Sequence, residues 1–383
     1  MEISLKYLKP NASLGGYMMV DGEVELQRFQ QIFQEHVINK RNGSTFLFER
    51  LTQIPTHFWG KPFFKKDPAF QIEHHVRVYN HVDPDLHLPS PCDESDLQRI
   101  LGAFMALGYK PDRSPWEYLV VNNYFINGNL KNTALAIRYH HCLGDGLSFL
   151  FWTECLFQAK LNFPKPNFRK QPLWLKVAQS AVIPFKMISD FSEQTVNTYS
   201  LRPRVWSTSG CPSNDYYTCF TPPIPVETVK RIKNNMKVSY VTVLVGACLM
   251  SFRKIMIEAS QPVPKKLSFC FTTPTPNHPI GMSNHAFNVV ALFDLNYDDV
   301  SSCLQHVNQT LAAKRNSAAS LLMDLVLNLL SSLPKCFYSR VYDKFYLASA
   351  IATNLPVPTE PLYLDGMLVS GSVNAIAPTN SHT

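Results

Sequence analysis

The sequence predicts an α/β protein (α+β layered) built from two halves of similar make. Three observations carry that expectation: apolar residues switch repeatedly between alternate and helical spacing, the order strand, turn, helix recurs in the second part of the chain, and a proline-rich basic segment separates the two parts. With 383 residues the chain exceeds what one hydrophobic core usually supports, and 45% hydrophobic residues suffice for two. The expected organisation is a first half over residues 1–160, a connector over 161–215 and a second half over 216–383.

The elements follow in order. "YMMV" (Tyr17–Val20) reads as a strand closed by the turn Asp21-Gly22, and Leu26, Phe29, Ile32, Phe33 and Val37 mark one face of the helix after it. "FQIEHHVRVYN" (70–80) is β-like, and in "ESDLQRILGAFMALGYK" Leu97, Ile100, Leu101, Phe104 and Leu107 again fall on one helical face. "WEYLVVNNYFI" and "TALAIRYHH" are strands around the turn Asn127-Gly128-Asn129, and a helix from Leu147 ends the half. In the connector, "NFPKPNFRKQP" precedes the amphipathic "LWLKVAQSAVIPFKMISDF" (173–191). The second half reads as a strand "YYTCF", helices "VETVKRIKNNMK" and "VTVLVGACLMSFRKIM", strands "KLSFCF" and "HAFNVVALFDL", helices over roughly 300–345, and final strands "LASAIATNLP" and "PLYLDGMLVSGSVNAIA". No internal sequence repeat links the halves.

Charge and cysteine usage narrow the function classes. The formal charge of +7 is spread along the chain without dense Lys/Arg runs, which argues against nucleic acid and leaves an anionic ligand or membrane surface open. Nine scattered cysteines without a C-x-x-C pair fit reduced thiols of a cytosolic protein, and three sequons at Asn11, Asn42 and Asn308 weigh little against that. "MEISLKYLKP" lacks the apolar run of a signal peptide, and no run of eighteen apolar residues offers a membrane span.

The one stretch that points to chemistry is "RYHHCLGDGLSF" (138–149). Strand alternation puts His141 with Leu135, Ile137 and Tyr139, and His140 with Ala134, Ala136 and Arg138. On the apolar side an imidazole is kept neutral by poor hydration and can accept a proton, as a general base must. Gly144 and Gly146 give the strand a tight stop, and Asp145 is read as a clamp on that turn with an arginine as its expected partner. Adjacent strand residues point to opposite faces, so the pair is a poor chelate for a metal. A histidine pair can also be no more than a strand end. That reading is kept for His74-His75, which no Asp-Gly turn follows, as a half-exposed strand. A serine hydrolase is excluded by the absence of G-x-S-x-G.

His140-His141-Cys142-Leu143-Gly144-Asp145-Gly146 resembles the H-H-x-x-x-D-G signature of the CoA-dependent acyltransferase superfamily. "FQIEHHVR" with "LPSP", then "KPDRSPWE", then "ATNLPVPTEPLYLDG" resemble, in order, the blocks of the wax ester synthase / diacylglycerol acyltransferase family, over roughly residues 15–375. The P-L-W element is shortened to Ser114-Pro115-Trp116, and for the family's Asn-Asp motif the nearest counterparts are Asn277 and Asn284. The usual family opening is missing and the chain ends at Thr383 before the family's final strand, the pattern of a truncated form.

The resemblance implies two chloramphenicol-acetyltransferase-like halves around a central tunnel, the second half incomplete. It implies a catalytic group of His141, His140, Asp145 and Gly146, with Arg113, Pro115, Trp116, Asn284 and Asn354 around the substrate as scaffold or wall. Acyl-CoA is the implied co-substrate, a fatty alcohol or diacylglycerol the acceptor, and no cofactor or metal is called for. The implied place is peripheral, on the cytoplasmic face of a membrane (endoplasmic reticulum, plasma membrane or lipid droplet). The stretch Leu173–Phe191, with Lys176 and Lys186 near headgroups, either lies on that surface or forms an interdomain helix. A smaller alcohol acceptor, or a catalytically silent lipid-binding or scaffold homologue, are the competing readings.

Overall fold

The computed structural model describes residues 13–58, 61–126, 128–160, 173–200, 218, 220–274, 278–315, 348–353 and 360–376, with isolated residues between 317 and 329. The first half contains β1 (Ser13–Val20), α1 (Leu26–Phe33, continued by a wider turn Gln34–Ile38), the short strands β2 (Arg41–Asn42) and β3 (Thr45–Phe46), the hairpin β4 (Gln53–Phe58) and β5 (Lys61–Lys66), β6 (Val76–Val78), α2 (Glu94–Ala106), β7 (Trp116–Ile126), β8 (Asn129–His140) and α3 (Gly146–Leu156). The remainder contains α4 (Leu173–Ser200), α5 (Val226–Met236), α6 (Tyr240–Glu258), β9 (Lys266–Pro274), β10 (Ala286–Asp294), α7 (Val300–Arg315), β11 (Ala350–Ala352), β12 (Leu362–Leu364) and β13 (Met367–Ile376).

Two open sheets organise these elements. The larger has the order β12-β13-β1-β8-β7-β6, and the smaller β10-β9-β11. On one side of β8, Leu135, Ile137 and Tyr139 join α1 and α3 in an aromatic core where Phe33 stacks on Trp116 at 5.0 Å and meets Trp152 edge-on at 5.6 Å. On the other side, Ala134 and Ala136 pack with Leu97, Leu101 and Phe104 of α2. Helix α2 starts at a capping box in which Asp93 accepts from the backbone of Ser95 and Asp96, while the Asp96 carboxylate accepts from Asp93 N–H. Both faces of β8 are thus covered, so alternation does not separate a dry face from a wet one.

The smaller sheet carries its own core of Leu267, Phe269, Ala291 and Phe293 under Val245 and Leu249 of α6 and Cys303 and Val307 of α7. Gly246 lets α6 approach α7 closely, since a Cβ there would lie 2.5 Å from the Leu304 side chain. Helix α6 is long and apolar enough to cross a bilayer by length and composition. Its Val245, Gly246 and Leu249 are nevertheless buried against the sheet and α7.

Three sequence expectations change. The strands at Leu362–Ile376, assigned above to the second half, pair instead with the first: β13 runs antiparallel to β1 from Leu14↔Ile376 to Val20↔Val369. β1 therefore has a neighbour on each edge, and its buried N–H and C=O groups are satisfied on both sides. The β12–β13 turn is made by Asp365 and Gly366, both at positive φ (49° and 82°), and the Asp365 carboxylate receives Arg28 Nε at 3.0 Å and Nη2 at 2.8 Å. Second, the β-like run 70–80 forms a strand only over Val76–Val78, because Ile72–His74 form a 3₁₀ turn, and His75 after it is buried. Third, of the expected strand Tyr216–Phe220, the described Thr218 and Phe220 are not extended in any sheet; Phe220 meets Tyr17 edge-on at 6.1 Å.

Helix α4 covers the amphipathic stretch read in the connector and contains Pro184. Val182, Phe185 and Ile188 are exposed on it, Lys186 pairs with Asp190 at 2.7 Å, and Glu193 receives Lys314 of α7 at 3.3 Å. The Lys176 side chain lies outside the described residues.

Candidate active site

The histidine pair sits where β8 gives way to α3. His140 is the last strand residue, and its N–H donates to Pro115 O at 2.9 Å. The ring of His140 is buried against Tyr109 (centroids 5.9 Å apart), and its Nδ1 accepts from Cys142 N–H at 3.0 Å. This imidazole shapes the turn. His141 lies one residue beyond the strand and is half-buried, not enclosed on the apolar face that alternation predicted. Its orientation comes from elsewhere.

Asn284, in the loop between β9 and β10, exchanges two hydrogen bonds with His141: Asn284 Nδ2 donates to the His141 carbonyl at 2.7 Å, and Asn284 Oδ1 lies 2.8 Å from His141 Nδ1. Because the amide nitrogen is committed to a carbonyl, its oxygen has to accept, so His141 Nδ1 is the protonated nitrogen. That leaves Nε2 with its lone pair as a proton acceptor in the neutral ring. The residue assigned above to substrate contact is therefore the residue that sets the histidine tautomer.

Asp145 holds the same loop. Its carboxylate caps α3 by accepting from Ser148 N–H at 3.1 Å, receives His285 N–H at 2.9 Å, and faces His278 Nε2 at 2.9 and 3.0 Å. Asp145 N–H donates to Ser283 O at 3.0 Å, and Ser148 Oγ both donates to Ser283 O at 2.8 Å and accepts from Ser283 N–H at 2.9 Å. The clamp expected of Asp145 is present and its partner is a histidine in place of an arginine. Gly144 and Gly146 do not occupy positive φ. Gly144 is needed for space: a Cβ would lie 2.6 Å from Ser148 Cβ and 3.4 Å from Ser283 N.

Three comparisons place this arrangement among known proteins. Residues 14–180 match the wax ester synthase/diacylglycerol acyltransferase catalytic domain, and residues 282–382 match the C-terminal domain of the same family. The chain belongs to the wax ester synthase/diacylglycerol acyltransferase family. A Mycobacterium tuberculosis relative provisionally named a diacylglycerol O-acyltransferase is 24% identical over 222 residues, which is 51% of this chain and 41% of that protein. The chain thus spans less than half the length of this curated relative. The wax ester synthase/diacylglycerol acyltransferase of Marinobacter aquaeolei VT8 superposes with a TM-score of 0.58 at 16% identity, over 99% of this chain and 86% of that one. The first condensation domain of CDA synthetase superposes with a TM-score of 0.57 at 13% identity, over 98% and 82%. These two likenesses bear on the fold.

In this wax ester synthase/diacylglycerol acyltransferase family chain, the other sequence candidates serve largely as scaffold. The Trp116 indole is buried, donates from Nε1 to Leu51 O at 2.8 Å and stacks on His75 at 4.4 Å, so it is core and not substrate wall. Pro115 is buried and supplies the carbonyl that receives His140 N–H. Arg113 is partly exposed and pairs with its neighbour Asp112 at 3.3 Å. Asn277 and Asn354 lie outside the described residues.

His75, read as part of a half-exposed strand, is buried between Phe70 and Trp116 with Nδ1 at 2.8 Å from Trp116 O. Burial pushes its pKa down to about 4. Three further residues complete the surroundings of the turn and carried no sequence signal of their own. They are His278, Ser283 and Arg50, whose Nη1 donates to Leu143 O at 3.2 Å. A polar residue close after a predicted strand, here in the loop His278 to His285, is the one cue that could have singled out the first two.

Proposed function

We propose that the chain transfers a fatty acyl group from acyl-CoA to the hydroxyl of a fatty alcohol or diacylglycerol, with His141 as general base. The observation that carries the reading is the paired hydrogen bond of Asn284 with His141, which fixes Nδ1 as the donor and leaves Nε2 able to take a proton. Membership of an acyltransferase family supports the reaction class. As the acceptor oxygen attacks the thioester carbonyl, its proton passes to Nε2. The tetrahedral intermediate then expels the thiolate of CoA, which recovers that proton, so the C–O bond formed replaces the C–S bond broken. No covalent acyl-enzyme and no resident cofactor enter this sequence. His140, Asp145 and Gly146 act on the turn, and Asn284 acts through His141.

The acceptors are lipid-soluble, so the reading includes peripheral association with the cytoplasmic face of a membrane or a lipid droplet. The test is neutral-lipid analysis of cells that make neither wax esters nor triacylglycerol, carrying this chain or its His141→Ala variant. Wax ester or triacylglycerol from the first and neither from the second supports the proposal. No ester from the unaltered chain favours a silent lipid-binding homologue, and equal ester from both chains rules out His141 as the base.

A further inference from the structure

The hairpin β4–β5, Gln53–Lys66, has a composition unlike that of the rest of the first half. Its sequence, "QIPTHFWGKPFFKK", holds three lysines and no carboxylate. Pairing of Thr56 with Phe63 and of Phe58 with Lys61 puts Phe58, Lys61, Phe63 and Lys65 on one face of the ribbon, by the two-residue period of strands. On that face Phe58 is 66% exposed and Phe63 is 42% exposed, their rings edge to face with centroids 6.4 Å apart, and the two lysines are exposed beside them. Phe64 on the opposite face is turned to the body of the protein, where Arg50 lies over its ring at 5.0 Å. The inner face thus anchors the ribbon and the outer face offers paired aromatic rings flanked by ammonium groups.

We infer that this outer face docks the protein on an anionic lipid surface, the two phenylalanines entering the headgroup boundary and Lys61 and Lys65 meeting lipid phosphates. Exposed aromatic rings gain by leaving water at the interface, and lysines next to an anionic leaflet add electrostatic attraction. Charge complementarity favours this occupant, because residues 53–66 carry a net formal charge of +3. Helix α4, another exposed apolar feature, carries Lys176 and Lys186 against Asp190 and Glu193 and brings no net charge to such a surface.

The base of the ribbon is tied to the catalytic turn. Residues Glu49–Thr52 lead into β4; Arg50 Nη1 donates to Leu143 O at 3.2 Å, Arg50 O accepts from Ser114 Oγ at 2.9 Å, and Leu51 O accepts from Trp116 Nε1 at 2.8 Å. A docked ribbon would therefore hold the His141 turn near the bilayer that stores the acceptor. This inference rests on the lipid-acceptor reading above for its biological sense, while its test does not.

Sedimentation of the purified chain with phosphatidylcholine vesicles, with and without phosphatidylglycerol, in the absence of any acyl donor or acceptor, reads docking directly. Binding that rises with the anionic lipid is expected, and the double variant Lys61→Glu with Lys65→Glu should lower it more than about tenfold, given roughly fivefold per lysine near such a surface. Phe58→Ser with Phe63→Ser should lower it comparably while thermal unfolding stays that of the parent, and Phe185→Ser in α4 should leave it unchanged. Parental binding by both hairpin variants, loss of binding with Phe185→Ser, or no preference for the anionic vesicles overturns the inference. Acyl transfer to a short, water-soluble alcohol reports separately on the catalytic reading.

Discussion

Asn284 and His141, 143 residues apart in sequence, are joined by two hydrogen bonds, one to the imidazole and one to the backbone carbonyl of the same residue. This fixes ring position and tautomer together. Asn284→Ala is expected to lower kcat about 10²-fold with little change in KM, since general-base catalysis of this kind is worth roughly 10²–10⁴ and depends on placement. In Asn284→Asp, a carboxylate beside the ring favours the imidazolium, so the acid limb of the kcat/KM pH profile should move to higher pH. A purely structural role for Asn284 would leave that limb in place.

Asp145 accepts from Ser148 N–H, His285 N–H and His278 Nε2 in a buried setting. Asp145→Ala leaves these donors without their acceptor. Hydrogen bonds to a charged group are each worth about 1.5–3 kcal/mol, so a loss of at least about 3 kcal/mol is expected in urea unfolding. Activity should fall with it, because the same carboxylate holds the loop that carries Asn284.

The aromatic enclosure of His75 makes stability pH-dependent. Its folded pKa is pushed down to about 4, against 6.5 for an ordinary histidine, by burial first. Between those values the unfolded chain binds a proton that the folded chain does not. Stability therefore declines as pH falls from about 6.5 to about 4, by about 3 kcal/mol in all. Melting temperatures of His75→Phe measured over the same range should show a correspondingly shallower decline.

Glu117 bridges Arg138 and Arg77 (2.8 Å to the latter) with little solvent access. Burial alone would raise its pKa, yet the two guanidinium groups hold it below the ordinary carboxylate value. Glu117→Ala leaves Arg138 buried without its counter-charge, and a loss of about 3–5 kcal/mol in chemical unfolding is expected. A hydrophobic replacement of Glu117 and Arg138 together should cost less than Glu117→Ala.

The sequence was legible where a single element decided the outcome. The strand Trp116–Ile126, the helix face Leu97–Ile100–Leu101–Phe104 and the α5 and α6 helices follow from apolar period alone, and the capping and turn residues mark their ends. The H-H-x-x-x-D-G run located the turn and the part Asp145 plays in it. What could not be read is non-local. Nothing near Leu362–Ile376 says that its partner is Ser13–Val20, and nothing near Asn284 says that its carbonyl partner is His141. The shelter expected for His141 failed for a related reason, since β8 is covered on both faces and ends one residue before it. His75 was misjudged because a 3₁₀ turn and a stacked tryptophan override the period of its neighbours.

The place of β1 between β8 and β13 has a consequence for biosynthesis. An early strand emerging from the ribosome acquires one edge partner when β8 arrives and must wait for Met367–Ile376 to acquire the other. Until then one edge of β1 presents amide and carbonyl groups that have no strand partner. The sheet of the half that bears His141 is consequently completed by residues translated long after it, so both ends of the described chain are joined in one sheet.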